Sequence, residues 1–275
     1  MSYGVVLPGG TAPQQLELAV AADAAGWDGV FVWEAAYGVD AWTLLGAIAA
    51  RTSHVRLGTM LTPLPWRRPW KVASQAVTLD QLSGGRTILA VGLGAVATGL
   101  GQTGEVVNLR ERAAMLDEGI ELLRHFWRGN LIFAGDYYTA DLRSRPDLAE
   151  MGTPVQAEIP IWVVGAWRRE RSLRRTLRCS GVIPEPMDGN LSPATVRELR
   201  DWCNARGTAS SFDIVVEGET SLEAQLAAST VRPWREAGAT WWMETQWKQP
   251  RHAPETLARF RERIEAGPPD GIHVP

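Results

Sequence analysis

Glu34 follows the apolar run Gly29 to Trp33, and Glu244 closes the run Thr240 to Glu244. A carboxylate at either place could act as a general base or orient a substrate. Glu185, after Gly181 to Ile183, has a similar position. Two such carboxylates across one opening could do glycosidase chemistry, but no sugar-binding pattern accompanies them. Trp33, Trp167 and Trp242 stand beside these positions as neighbours for a flat ring or substrate. After the run Thr87 to Gly92 comes a glycine-rich stretch in which Gly92, Leu93 and Gly94 would let backbone approach a ring or a phosphate closely. Gly165-Ala166-Trp167-Arg168-Arg169 opens a helix, where amides and fixed positive charge suit an anion. The alternative reading of that segment is an arginine-rich solvent face.

Several chemistries are argued against by what is missing. His54, His125, His252 and His273 fall on helices, helix ends or the tail, so no metal site is expected. There is no Gly-x-Ser-x-Gly elbow, and neither Cys179 nor Cys203 follows a strand. No lysine ends a strand, which disfavours a Schiff base. A site poor in catalytic side chains but rich in glycine, tryptophan and apolar positions suits an organic cofactor that carries the reaction itself.

The elements that must position these residues alternate strictly. β-rich runs lie at 3–7, 29–33, 55–62, 87–92, 160–164, 181–183, 212–216 and 240–244, with helix-patterned segments between and after them. Most runs are continuously apolar, as parallel strands buried on both faces require. The expected fold is α/β, a single eight-stranded parallel β/α (TIM) barrel occupying 1–275 as one domain. A doubly wound open sheet would carry a Gly-x-Gly-x-x-Gly turn after the first strand, where Pro8-Gly9-Gly10-Thr11-Ala12-Pro13 stands instead. In such a barrel the active site lies at the C-terminal ends of the strands. Residues 129–158 form the one irregular stretch, read as an ordered excursion because it holds Phe133, Tyr137 and Tyr138.

Composition narrows the partners. A net charge of −3 gives no field for nucleic acid or an anionic membrane. Met1 to Pro8 lacks the apolar core of a signal peptide, and two cysteines build no secreted framework, so a cytoplasmic location is expected.

The run Arg56-Leu57-Gly58-Thr59-Met60, Pro63-Leu64-Pro65 and Arg68-Pro69 resembles the luciferase-like flavin-dependent monooxygenases. So do Thr78-Leu79-Asp80-Gln81-Leu82-Ser83-Gly84-Gly85-Arg86 and Val91-Gly92-Leu93-Gly94, and further on Leu116-Asp117-Glu118-Gly119 with Trp127 and Pro160-Ile161-Trp162-Val163. The resemblance covers nearly the whole chain. It implies reduced FMN, or alternatively an 8-hydroxy-5-deazaflavin coenzyme, in the barrel mouth. The ring would lie near a bulged or cis peptide around Thr59-Met60, with the phosphate near Gly92 to Gly94 and Ala166 to Arg169. It further implies a monooxygenase using O2 on a small-molecule substrate, a separate flavin reductase as partner, and a homodimer formed through the second and third helices. Deazaflavin hydride transfer, or a barrel without flavin or catalysis, are the alternatives. Glu34-Ala35 replace the Asp-His pair of many members, and Ala95 stands where the deazaflavin dehydrogenases have a glutamate; both departures argue against a sugar-phosphate dehydrogenase.

Overall fold

Local signals set the elements. The structure is a computed structural model that describes residues 1–187, 189–248 and 253–269. β1 (Ser2–Val6) turns through Gly9 and Gly10, both at positive φ, into α1 (Ala12–Ala24). Thr11 and Gln14 form a capping box at its start. β2 (Gly29–Val32) is followed by α2 (Ala41–Ala49), whose N-cap Asp40 accepts the Thr43 amide. Then come β3 (Arg56–Pro63), α3 (Pro69–Ser83), β4 (Thr87–Gly92) and α4 (Leu109–Trp127). The excursion is a small antiparallel hairpin, β5 (Ile132–Ala134) and β6 (Thr139–Asp141), with the short α5 (Asp147–Met151). The chain continues through β7 (Ile161–Ala166), α6 (Glu170–Thr176), β8 (Gly181–Glu185), α7 (Pro193–Asn204) and β9 (Asp213–Gly218). It ends with α8 (Ala224–Glu236), β10 (Trp241–Glu244) and α9 (Pro254–Glu265).

The eight long strands close into a parallel barrel in the order β1-β10-β9-β8-β7-β4-β3-β2. Alternation along each strand sends one set of side chains inside: Val6, Phe31, Met60, Ile88, Ala90, Trp162, Val215, Trp241 and Met243. Phe31 stacks on Trp162 at 5.3 Å between ring centroids, and Trp241 meets Trp162 edge-on at 5.2 Å. Room for these large rings comes from small neighbours. At Gly58 a Cβ would strike the Ile88 carbonyl oxygen, so only glycine fits there.

Three strands, β7, β8 and β9, run two residues further than the sequence pattern expects. Pairing of β7 with β8 continues to Ala166 opposite Glu185, so ladder hydrogen bonds take residues that read as a helix start. α6 is correspondingly short. β9 likewise extends through Glu217 to Gly218, paired with Met243 and Glu244.

The excursion is anchored by side chains of the helices beside it. Glu118 of α4 accepts the amides of Asp136, Tyr137 and Tyr138, and Asp80 of α3 accepts those of Val155 and Gln156. No helix among the described residues is long and apolar enough to cross a membrane.

Candidate active site

The barrel is filled at its centre and open at the C-terminal ends of its strands. Trp162 and Met243 are completely buried. One step further along the same inward-facing rows, Val164 and Ile183 are partly accessible, and Glu185 and Glu217 are open to water. This gradient describes a bowl. β8 and β9 pair Val182 with Ile214, and the same register carried three residues on brings Glu185 beside Glu217. Trp247 donates its indole N–H to Glu217 Oε2 at 3.0 Å. Glu217 is reached by water yet has protein on most sides. Desolvation, with the nearby Glu185 charge, raises its pKa despite the Trp247 bond. Desolvation also raises the pKa of Glu185.

Strand alternation could have found Glu217, two residues past Val215. The shorter strand drawn from composition stopped at 216 and left it out.

Glu34 is engaged by its neighbours. Arg67 Nη1 lies 2.7 Å from Oε1, and the Thr62 hydroxyl donates to Oε2 at 2.8 Å. Desolvation raises its pKa, and Arg67 and Thr62 partly offset this. The Thr62 hydroxyl also lies 2.9 Å from the Thr59 hydroxyl, which donates to the Ala90 carbonyl. These residues bracket Met60 and Leu61, whose connecting peptide is cis, where β3 slips register against β4. The irregular peptide therefore lies one residue beyond the expected Thr59-Met60. Met60 faces the barrel interior, while Thr59 is turned away from the bowl and is wholly buried. Thr59 is corrected from a cofactor contact to a fastening of the strand end.

Glu244 and Trp242 are corrected more strongly. Trp241 and Met243 point inward, so Trp242 and Glu244 point outward, Trp242 against Trp234. Glu244, only 1% exposed, accepts the Thr220 amide and hydroxyl, each at 2.7 Å. Arg263 lies 3.7 Å from it. Burial raises its pKa in spite of these partners. It fastens the β9–α8 connection to α9 and does not reach the mouth.

The proposed anion segment after β7 is largely occupied by the protein itself. Ser172 Oγ takes the Ala166 amide, and the Glu185 carbonyl takes that of Trp167. Gly165 faces outward, where a Cβ would meet Val182 and Thr176, so it serves helix packing. Trp167 leans on the layer between barrel and helices. Arg168 pairs with Glu198 at 3.0 Å, and Arg169 stands exposed as the N-cap of the seven-residue α6. These are corrections to the sequence expectation: amides already bonded offer little to a phosphate.

Arg168 also has φ 64. A side chain in that left-handed region costs about 1 kcal/mol relative to glycine. Arg168→Gly is therefore expected to raise the melting temperature by about 2 °C, followed by circular dichroism. A fall would show that the exposed ion pair outweighs relief of the backbone.

After β4 the glycines are covered by side chains, Gly92 being buried. At Gly92 a Cβ would press on Leu61 and Val164 at the bowl wall, and Gly94 has φ +76 with the Trp66 ring against it. Leu93 packs partly on the helix layer. Among the described residues no group of three metal-binding side chains occurs. His54 lies before β3 and His125 in the last turn of α4; His252 and His273 lie outside the described residues. A cleft of about 370 Å³ between α3, α4 and the excursion has Lys71 as its one titratable lining residue and carries no chemistry.

Much of the motif that carries the family resemblance does structural work. Asp80 and Glu118 anchor the excursion. Asp117 pairs with Arg175 and Arg178, and Arg86 donates to the carbonyls of Ala49, Thr52 and Val55.

A family model described as luciferase-like monooxygenase matches residues 2–269. The chain is 34% identical over 228 residues to a putative coenzyme F420-dependent oxidoreductase of Mycobacterium tuberculosis, covering 78% of this chain and 63% of that protein. It is 37% identical over 146 residues to an F420-dependent glucose-6-phosphate dehydrogenase of Amycolatopsis mediterranei, 48% of this chain and 44% of the relative. It thus spans less than two thirds of the length of both. Among solved structures, an F420-dependent secondary alcohol dehydrogenase in complex with an F420-acetone adduct superposes with a TM-score of 0.75 at 17% identity, over 98% of this chain and 99% of the other. The FMN-bound oxygenating constituent of a Pseudomonas putida Baeyer-Villiger monooxygenase gives 0.63 at 19%, over 84% and 71%. At these identities the structural likeness shows the fold.

Proposed function

The chain belongs to the luciferase-like monooxygenase family, and on that premise we propose that it is an oxidoreductase moving hydride between a deazaflavin coenzyme in the barrel mouth and a small organic substrate without phosphate. The observation that carries this reading is the water-accessible pair Glu185 and Glu217 on the bowl wall, with raised pKa values. Their negative charge opposes a phosphorylated substrate, and a carboxylate whose pKa is raised is the better proton acceptor.

The two relatives described above are both named for coenzyme F420. The FMN-bound structure is similar in fold alone. For that reason the deazaflavin reading replaces FMN monooxygenation as the leading one.

The residues fit such a group: Glu185 and Glu217 are reached by water, and Leu61, Val164 and Ile183 of the apolar wall are partly accessible. Bound there, the coenzyme would supply the ring carbon that gives or takes hydride. Glu217 would take the substrate hydroxyl proton as hydride leaves, and return it in the reverse direction. Trp247 holds Glu217 Oε2 in place. Met60, Leu61, Val164 and Ile183 form the apolar wall that keeps water from the reacting atoms. Arg67, Glu34 and Thr62 hold the Met60–Leu61 corner of that wall. A homodimer through α2 and α3 belongs to the same proposal.

Titration with oxidised coenzyme F420 and with FMN, followed by tryptophan quenching, tests the reading. Expected is a Kd on the order of 1 μM for coenzyme F420 and binding of FMN at least roughly tenfold weaker. Tighter FMN binding with substrate-dependent O2 uptake would establish the monooxygenase instead. No response to either would leave a non-catalytic barrel.

A further inference from the structure

The Glu185 side chain has neither a hydrogen bond nor an ion pair among the described residues, and burial alone acts on its pKa. The cations around the mouth are engaged elsewhere or exposed. Arg67 pairs with Glu34 and Arg168 with Glu198, while the exposed Arg169 and Lys248 pair with neither carboxylate of the bowl. Beside Glu185 stands Glu217, with Oε2 held by the Trp247 indole N–H and Oε1 without a hydrogen bond. Both glutamates continue inward-facing rows, above Ile183 and Val215, at the strand ends where this fold places its chemistry. That position sets them apart from the acidic residues of the outer surface.

Two carboxylates on adjacent strands repel each other when both are ionised. A cation between them removes that repulsion, so the pair favours a positive ligand over a neutral one and a neutral one over an anion. Neighbouring strands lie about 4.8 Å apart, and the register of β8 on β9 sets residues 185 and 217 at one level. The two side chains therefore project side by side, within reach of two polar groups on neighbouring carbons. Their free capacity differs. Glu217, with one oxygen already engaged, suits the single proton of a hydroxyl. Glu185, with both oxygens open, suits the three donors of an ammonium. Leu61, Val164 and Ile183 line the wall against which the hydrocarbon part would lie.

We propose that the substrate is a small amino alcohol, its ammonium seated on Glu185 and its hydroxyl on Glu217. The inference rests on the hydride-transfer reading of the same mouth and names the substrate class for it. In the oxidising direction the carbinol C–H bond breaks, and its hydrogen leaves with both electrons as hydride to the oxidised deazaflavin coenzyme. The hydroxyl proton passes to Glu217, the carbon–oxygen bond becomes a carbonyl, and the ammonium nitrogen is unchanged. Glu185 sets specificity and takes no proton from the reacting group.

The test uses matched compounds that differ in charge at one position. On an open chain they are 1-amino-2-propanol, 1,2-propanediol and lactate; on a ring, 2-aminocyclohexanol, cyclohexane-1,2-diol and 2-hydroxycyclohexanecarboxylate. Kd values are measured by calorimetry at neutral pH, with and without coenzyme F420, so that binding is read apart from turnover. On at least one framework the ammonium form should bind roughly 10- to 100-fold more tightly than the diol, the range for charge-assisted hydrogen bonds, and the hydroxy acid most weakly. In Glu185→Gln, shown to be folded by its melting curve, the ratio of ammonium form to diol should fall roughly tenfold. A full ratio retained in that variant overturns the inference, because Glu185 then has no part in charge selection. Preference for the diol or the acid in the native chain, or binding of no compound on either framework, also overturns it. In each of those cases quenching by coenzyme F420 would leave the proposed function standing. Ammonium preference without any response to the coenzyme would keep the seat on Glu185 and sink the functional reading.

Discussion

Glu217→Gln is expected to lower kcat by roughly 100-fold or more, the usual contribution of a positioned proton-transfer group, while the Kd for the cofactor stays within about twofold. Glutamine keeps the volume and can still accept the Trp247 indole N–H, so the change isolates proton transfer from shape. The same substitution predicts a stability effect of the opposite sign. The pKa of Glu217 is raised in the folded chain, so its favourable contribution is complete below the ordinary carboxylate value and is lost as pH rises through the raised one. At neutral pH the ionised carboxylate opposes folding. Glu217→Gln should therefore melt above the native chain at pH 7 and converge with it below about pH 4. Unchanged turnover would remove Glu217 from the mechanism, and a lower melting temperature at pH 7 would show that its charge is stabilised in place.

Glu244→Ala should do the reverse, costing about 3–5 kcal/mol of stability, because it strands a buried guanidinium. Arg263 is packed against the Trp27 ring at 5.1 Å with its own Nη2 already without a partner. Its Nε also donates to the Thr220 hydroxyl, which donates on to Glu244. Removing the carboxylate takes the acceptor from the Thr220 amide and hydroxyl protons and the counter-ion from Arg263, which keeps only its bonds to the Thr220 hydroxyl and the Gly267 carbonyl. Thermal melting should fall by about 10 °C or more. Cofactor affinity measured well below the transition should be unchanged, since the side chain faces away from the bowl. A stable, cofactor-binding but inactive Glu244→Ala protein would return Glu244 to the active site.

The two glutamates show where sequence reasoning stops. Glu244 and Glu217 both stand at the ends of apolar runs, and composition alone favours the former. In the barrel they occupy opposite faces, because side chains alternate and each strand's inward row is fixed by its neighbours. Trp241 and Met243 inside force Glu244 out; Val215 inside brings Glu217 in.

The anion segment is a similar case. Its glycine, arginines and helix start are visible in the chain, but the amides of Ala166 and Trp167 are used by Ser172 and by a carbonyl of the next strand. Conversely, Arg112 reads as one more arginine on an amphipathic helix. Only the fold brings it beneath Leu93 and Gly94.

What the sequence determined by itself is the architecture: β-rich runs and capped helices in strict alternation, glycines where turns need positive φ, and apolar strands that only a doubly covered sheet can bury. Those are local properties and periodicities, carried by neighbouring residues. The tertiary structure decided which carboxylate stands on the inner face of the barrel and which amides the protein already uses for itself. Each of those depends on strand register and on partners tens of residues away, where hydrogen bonds between neighbouring strands and helices outweigh what any single segment prefers.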